Sequence, residues 1–243
     1  MLKYKICFLL AVSFSLIGKG QSELSGTVTY KAYHEKTQIK KDKNNSTEKT
    51  AGIEGANELL SNASDVYATL NFNSEGSSYR VDNKLKIDGI ESINITHFFA
   101  GANNLYYHNR DSLYVLQSNT TLGKTFLIKN ELPHWIITKE TKRIDGILCL
   151  KAYSIIKSDA GNTKPSAIAW FSPSIPVNYG PLQYFGLPGL IIELQFSKMT
   201  LIAEKINLNK KKVIIEKPKE APIVTPEEFM AIAKKNTPEF FEK

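Results

Sequence analysis

The feature that most constrains this chain is a succession of short segments rich in Thr, Tyr, Val, Ile and Phe. They run from Glu23 almost to the end and are separated by clusters of Asn, Gly, Asp and Ser. In residues 25–33, Val28, Tyr30 and Ala32 fall on one face and Thr27, Thr29 and Lys31 on the other, the two-residue period of a half-buried strand. Further strands are predicted at 67–72, 78–81, 93–99, 104–108, 112–116, 125–129, 134–138, 148–157, 167–171, 190–196, 200–208 and 213–216. Turn chemistry punctuates them at Asn73-Ser74-Glu75-Gly76, Asn109-Arg110-Asp111 and Asp159-Ala160-Gly161-Asn162. The expectation is a mainly β protein built on a single antiparallel, curved sheet or half-barrel.

Two helices interrupt this pattern. A short internal one is predicted at 53–61, with Ile53, Ala56, Leu59 and Leu60 at helical spacing. A C-terminal one is predicted over about 225–235, where Thr225 can cap, Pro226 suits the first helical position and Glu227 and Glu228 face the positive helix end. Residues 35–50 read as a charged, Asn- and Lys-rich loop. With no repeat and no Pro/Gly/Ser-rich linker, residues 21–243 read as one β-rich domain.

Residues 1–20 read as a secretory signal peptide. Lys3 and Lys5 precede an apolar run over 6–17, and Gly18 and Gly20 suit cleavage before Gln21. Cys7 lies inside the apolar run rather than directly after it, so a lipoprotein is not expected. Cleavage leaves Cys149 as the one cysteine, which excludes an intramolecular disulfide and reads as a buried small hydrophobe. No other segment is long and apolar enough for a transmembrane helix. The expected location is the periplasm or the outer membrane's surroundings, or outside the cell.

The formal charge of +7 raises the question of an anionic partner. Removing Lys3, Lys5 and Lys19 lowers it to +4, and residues 35–50 and 200–220 together carry +5. The remainder is nearly neutral and shows no basic face interleaved with aromatics, so nucleic acid is not an expected partner.

Motifs that would announce a reaction fail on context. Gly123-Lys124-Thr125 resembles the end of a phosphate loop, but Ser118 stands where its first glycine belongs, and a strand follows instead of a helix. Ser154-Ile155-Ile156-Lys157 has penicillin-binding spacing without either companion signature. His34, His97, His108 and His134 are scattered, so no metal site, cofactor or catalytic residue is predicted and the chain is not expected to be an enzyme. The aromatics Trp135, Trp170, Phe171, Tyr179, Tyr184 and Phe185 are read first as the β core, with the lining of an apolar ligand site as the less favoured reading.

The most unusual stretch, 167–196, contains Trp170-Phe171-Ser172, Ile175-Pro176, Gly180-Pro181 and then Gly186-Leu187-Pro188-Gly189-Leu190-Ile191. Pro188-Gly189 fits the centre of a type II turn, followed by a strand in which Leu190, Ile192, Leu194 and Phe196 share a face. This hexapeptide resembles the signature of the GLPGLI family, exported proteins of Bacteroidota. Arg143-Ile144-Asp145-Gly146 with Cys149, and Gly26 to Tyr30, are similar to other parts of that family. The resemblance implies export and supplies neither a biochemical activity nor a catalytic residue. Genes of the family often lie near those of TonB-dependent receptors, so such a receptor is one possible partner.

The fold expected beside this resemblance is similar to the half-barrels of periplasmic lipoprotein carriers. The functional expectation is a cell-envelope binding or accessory protein that holds an apolar ligand, a peptide or an outer-membrane partner. Its candidate surface is Gly186–Ile191 with Trp170, Phe171, Gly180, Pro181 and Phe185. The alternative is an envelope hydrolase using His97, His108 or His134 beside a carboxylate or hydroxyl.

Overall fold

The computed structural model describes residues 24–35, 47–82, 94–121, 123–157, 163–209 and 212–236. Residues 1–20, read from the sequence as a signal peptide, and most of the charged loop predicted at 35–50 lie outside them. Twelve strands form one sheet: β1 (Ser25–His34), β2 (Val66–Asn73), β3 (Gly76–Val81), β4 (Leu105–Asn109), β5 (Tyr114–Thr121), β6 (Lys124–Glu131), β7 (Trp135–Ile144), β8 (Ile147–Lys157), β9 (Thr163–Ser172), β10 (Leu190–Phe196), β11 (Met199–Asn209) and β12 (Ile223–Val224). Their order is β12-β6-β5-β4-β3-β2-β1-β11-β10-β9-β8-β7, with β1 and β11 joining two meanders at the centre. The sheet is open and mixed. Every pair is antiparallel except β12 with β6, which run parallel, so the expectation of a purely antiparallel sheet is corrected at that edge.

The sheet curls tightly. Eight strand spacings separate β4 from β7, roughly 38 Å if flat at about 4.8 Å each. Yet Phe185 meets both: its ring lies 4.2 Å from that of His108 on β4, and its carbonyl accepts the indole N–H of Trp135 on β7 at 2.8 Å. Residues 173–189, the connection from β9 to β10, therefore run inside the curl and serve as its core. Tyr179 packs on Phe72 and His108, and Tyr184 on Trp135 and Phe196. The Tyr30 hydroxyl donates to the Ile191 carbonyl. Tyr30, Leu70, Phe72, Tyr79, Phe171, Leu194 and Leu201 line the interior, all fully buried.

Among the described residues three helices are present rather than the two predicted. The first, α1, spans Thr47–Ser61, so the helix predicted at 53–61 extends back into the charged loop. Its exposed side tolerates Glu and Lys at no cost to helix propensity. The segment expected as a strand at 93–99 is instead α2 (Ile95–Phe99): the Asn94 side chain caps it by accepting from the Thr96 N–H at 3.1 Å, and Thr96 is fully buried. A local cap here overrides the β propensity of Ile and Phe. The third, α3 (Pro226–Asn236), matches the C-terminal prediction, and its Thr225–Glu228 capping box closes with bonds of 2.8 and 3.2 Å.

The strand expected at 213–216 is not in the sheet. Side chains hold its backbone on the outer face: Val213 N–H donates to Ser25 Oγ, Asn73 Nδ2 to the Val213 carbonyl, and Glu216 N–H to Ser78 Oγ. The chain thus leaves β11 as a strap across the outer face and ends by covering β6 with β12 and Phe229, whose ring lies 5.9 Å from Phe126. At the opposite edge, no strand among the described residues pairs with the outer side of β7. It carries Lys139, Glu140, Lys142 and Arg143 and a register shift between Ile137 and Thr141, both of which discourage edge pairing. Among the described residues no helix is long and apolar enough to cross a membrane.

Candidate functional site

The hexapeptide gains its shape from contacts rather than from the expected turn. Gly189 does not adopt the left-handed φ of a type II turn; its N–H donates instead to Leu187 O at 2.8 Å, a three-residue turn about Pro188. A side chain at Gly189 would place Cβ 2.3 Å from the Ser172 carbonyl oxygen, so the position needs hydrogen because β9 passes directly against it. The left-handed residue is Gly186, at φ 90°, whose missing Cβ faces Leu132. Leu190 and Ile191 then anchor β10 by donating to Ile175 O and Tyr179 O at 3.0 and 3.1 Å.

The expected face shared by Leu190, Ile192, Leu194 and Phe196 is broken by a bulge. Ile191 stands opposite Phe171, Glu193 opposite Trp170, and Ile192 is the extra residue. Leucines and isoleucines from 190 to 192 are therefore all buried, whichever face they point to.

Most of the predicted site residues are core. Phe171, Phe185, Leu187, Leu190 and Ile191 are buried, as are Gly180 and Pro181, and a Cβ on Gly180 would strike Ile191. Phe171 and Trp170 point to opposite faces. Trp170 lies on the outer face, half-buried under Lys142 and Lys151, whose Nζ atoms sit 4.4 and 5.8 Å from its ring centroid. Lys142 is held there by Glu193, 6% exposed, at 2.7 Å, and Lys151 by Glu140 at 2.9 Å. Trp170 and Phe185 thus do not share a groove, and the face expected to carry an apolar ligand is filled by the protein's own chain.

Among the described residues a cleft of about 1040 Å³ opens at the end of the curl where the β2–β3 and β4–β5 turns gather. Leu187, Pro188 and Gly189 line it together with Pro176, Val177, Asn178 and Tyr179, and Asn73, Ser74, Arg110, Asp111, Leu24 and Leu208 complete the lining. Tyr179 anchors the floor by donating to Asn73 O at 3.1 Å, and burial pushes its phenol up to about 12. The two turns were legible as turns. Their convergence follows only from the strand order, because hairpins in a meander place alternate turns at the same end.

The histidines are dispersed. His34 Nδ1 is 2.8 Å from Glu35 O, His97 lies on α2, His134 precedes β7, and His108 is 2% exposed with Nε2 3.1 Å from Ser112 O. Burial lowers the pKa of His108, and its Nδ1 has no hydrogen-bond partner. Cys149 is fully buried, and burial raises its thiol to about 11. Among the described residues no group of three metal-ligating side chains occurs.

A family described as a protein of unknown function (Porph_ging) matches residues 161–193, which span β9, the interior segment and the hexapeptide. No curated protein matches. Among solved structures the chain is similar to PNGF-II in a P21 crystal, with TM-score 0.50 and 12% identity over 88% of this chain and 34% of that one. A C2 crystal of PNGF-II gives TM-score 0.48 at 12% identity, covering 88% and 33%. The chain spans about a third of PNGF-II's length, and the likeness is one of fold.

Proposed function

We propose that this protein is an exported, non-catalytic binding or accessory component of the cell envelope that works through the cleft beside Leu187-Pro188-Gly189. The observation that carries this reading is the filled interior: with residues 173–189 occupying the curl, a concavity of about 1040 Å³ still opens among the described residues, and the hexapeptide helps to build it. The reading also draws on the signal-peptide pattern and on the GLPGLI resemblance, with which the match over 161–193 is consistent. A half-barrel in the manner of lipoprotein carriers would need an empty apolar trough, so carriage of an acyl chain inside the sheet is not part of the proposal. No observation favours the hydrolase reading.

The test uses affinity purification from the native envelope, with mass spectrometry of co-purified proteins and extracted small molecules. It compares the natural chain with Val177→Trp, which fills the cleft from a half-exposed position. A molecule enriched by the first and lost from the second supports the reading. Identical recovery by both sinks it.

A further inference from the structure

The cleft does not end at Asp111. A second hollow of about 380 Å³ on the outer face of β4 and β5 is bordered by the same Asp111 together with Tyr107, Tyr114 and Leu116. With Asp111 bordering both, the two concavities lie on either side of the β4–β5 turn, an arrangement that suits an extended chain passing over the turn better than a compact small molecule. Their polar groups are planar and underused. Among the described residues the Arg110 guanidinium donates to a single carbonyl, Ser74 O at 3.3 Å, while the Asp111 carboxylate and the Asn178 amide have no bonded partner. Guanidinium, carboxylate and amide each offer paired donors or acceptors in one plane, the match for neighbouring hydroxyls on a ring.

The alternatives fit less well. One cation beside one anion gives no selectivity for a polyanion or a polycation. Neither edge of the sheet opens into the groove, so a peptide could not add as a strand, and Pro176 and Pro188 in the wall have no N–H to offer one. Leu187 and Tyr179 are buried in the floor, leaving no deep apolar hole for an anchoring side chain. The half-exposed ring of Tyr107 instead supplies a flat apolar face with a polar rim, while the Tyr114 ring beyond it already carries Lys129 Nζ 4.9 Å from its centroid.

We infer that the groove from Asn178 past Arg110 and Asp111 to Tyr107 binds an uncharged oligosaccharide chain. This rests on the reading of the cleft as the binding site. The experiment probes the mature protein against a printed array of neutral and anionic glycans and, in parallel, a random dodecapeptide library. The best neutral hexasaccharide is then titrated calorimetrically into the natural chain and into Asn178→Ala, Arg110→Ala and Tyr107→Ala, each checked for native melting. Saturable binding of a neutral glycan that weakens at least tenfold in two folded variants is the expected result. Selective binding of peptides, lost in the same variants, overturns the glycan assignment and leaves the cleft reading standing. Binding of nothing, or binding untouched by all three variants, overturns both.

Discussion

Trp135 Nε1 donates to the Phe185 carbonyl at 2.8 Å, joining the last strand of the sheet order to the segment that fills its interior. Through this bond and the 4.2 Å contact of Phe185 with His108, a single residue of the 173–189 segment holds the two sides of the curl together. The stability of the molecule should accordingly be sensitive to small changes in and around that segment.

The two signature glycines should differ in cost. Gly189→Ala forces a methyl against the Ser172 backbone, which can move only by shifting β9, and should destabilise by about 3 kcal/mol. Gly186→Ala meets the end of a flexible, 42% exposed Leu132 and adds left-handed strain, together about 1–2 kcal/mol. Urea midpoints of the two variants should fall in that order, and the reverse order would contradict the geometry.

His108 should make the fold acid-sensitive. Burial lowers its folded pKa beneath the ordinary value near 6.5, so between the two values the unfolded chain binds more protons than the native one. Its contribution is complete above pH 6.5 and is lost as pH falls through that window toward the lower folded value. Melting temperatures measured from pH 7 to pH 5 should drop more steeply for the natural chain than for His108→Gln. Parallel curves would show that His108 does not titrate in this way.

On the outer face, Lys142→Met keeps a long stem over Trp170 but leaves the buried Glu193 carboxylate with Gln195 alone, at 2.5 Å. A loss of about 2 kcal/mol is expected, with most of it recovered by adding Glu193→Leu, because removing both charges removes the burial penalty as well. Chemical denaturation of the two single variants and the double variant gives the cycle directly. Additive losses would mean that the pair is not coupled.

Cys149 should resist labelling. Its thiol is fully buried and raised to about 11, so little thiolate is available at neutral pH. Reaction with a disulfide reagent should be slow in native buffer and immediate in denaturant; fast native reaction would place the thiol at the surface.

Much of the strand framework is legible in the sequence because it rests on local alternation: 190–196 coincides with β10 and most other segments overlap their strands, although 134–138 covers only the start of β7, 112–116 only the start of β5, and the two-residue β12 is too short to show a pattern. The failures share a cause. At 93–99 and 213–216 the apolar pattern is β-like, but side-chain groups of Asn94, Ser25, Asn73 and Ser78 claim the backbone first. The interior role of 173–189 is equally hidden, since Tyr179, Tyr184 and Phe185 carry no sign of which strands they will touch. The cleft combines residues 73–74, 110–111 and 174–179, far apart in the chain, and only the curl of the sheet brings them together.

The central seam, where Ser25 pairs with Asn209 and His34 with Met199, joins the first strand to the next-to-last. No chain that stops before β11 can close it, and β1 would then offer a bare ladder to any neighbour. Such closure is slow, because the intervening length must be gathered before the contacts repay it. The hairpins on either side of this seam can form early, but they become one sheet only when the stretch out to Asn209 is available to pair back to Ser25.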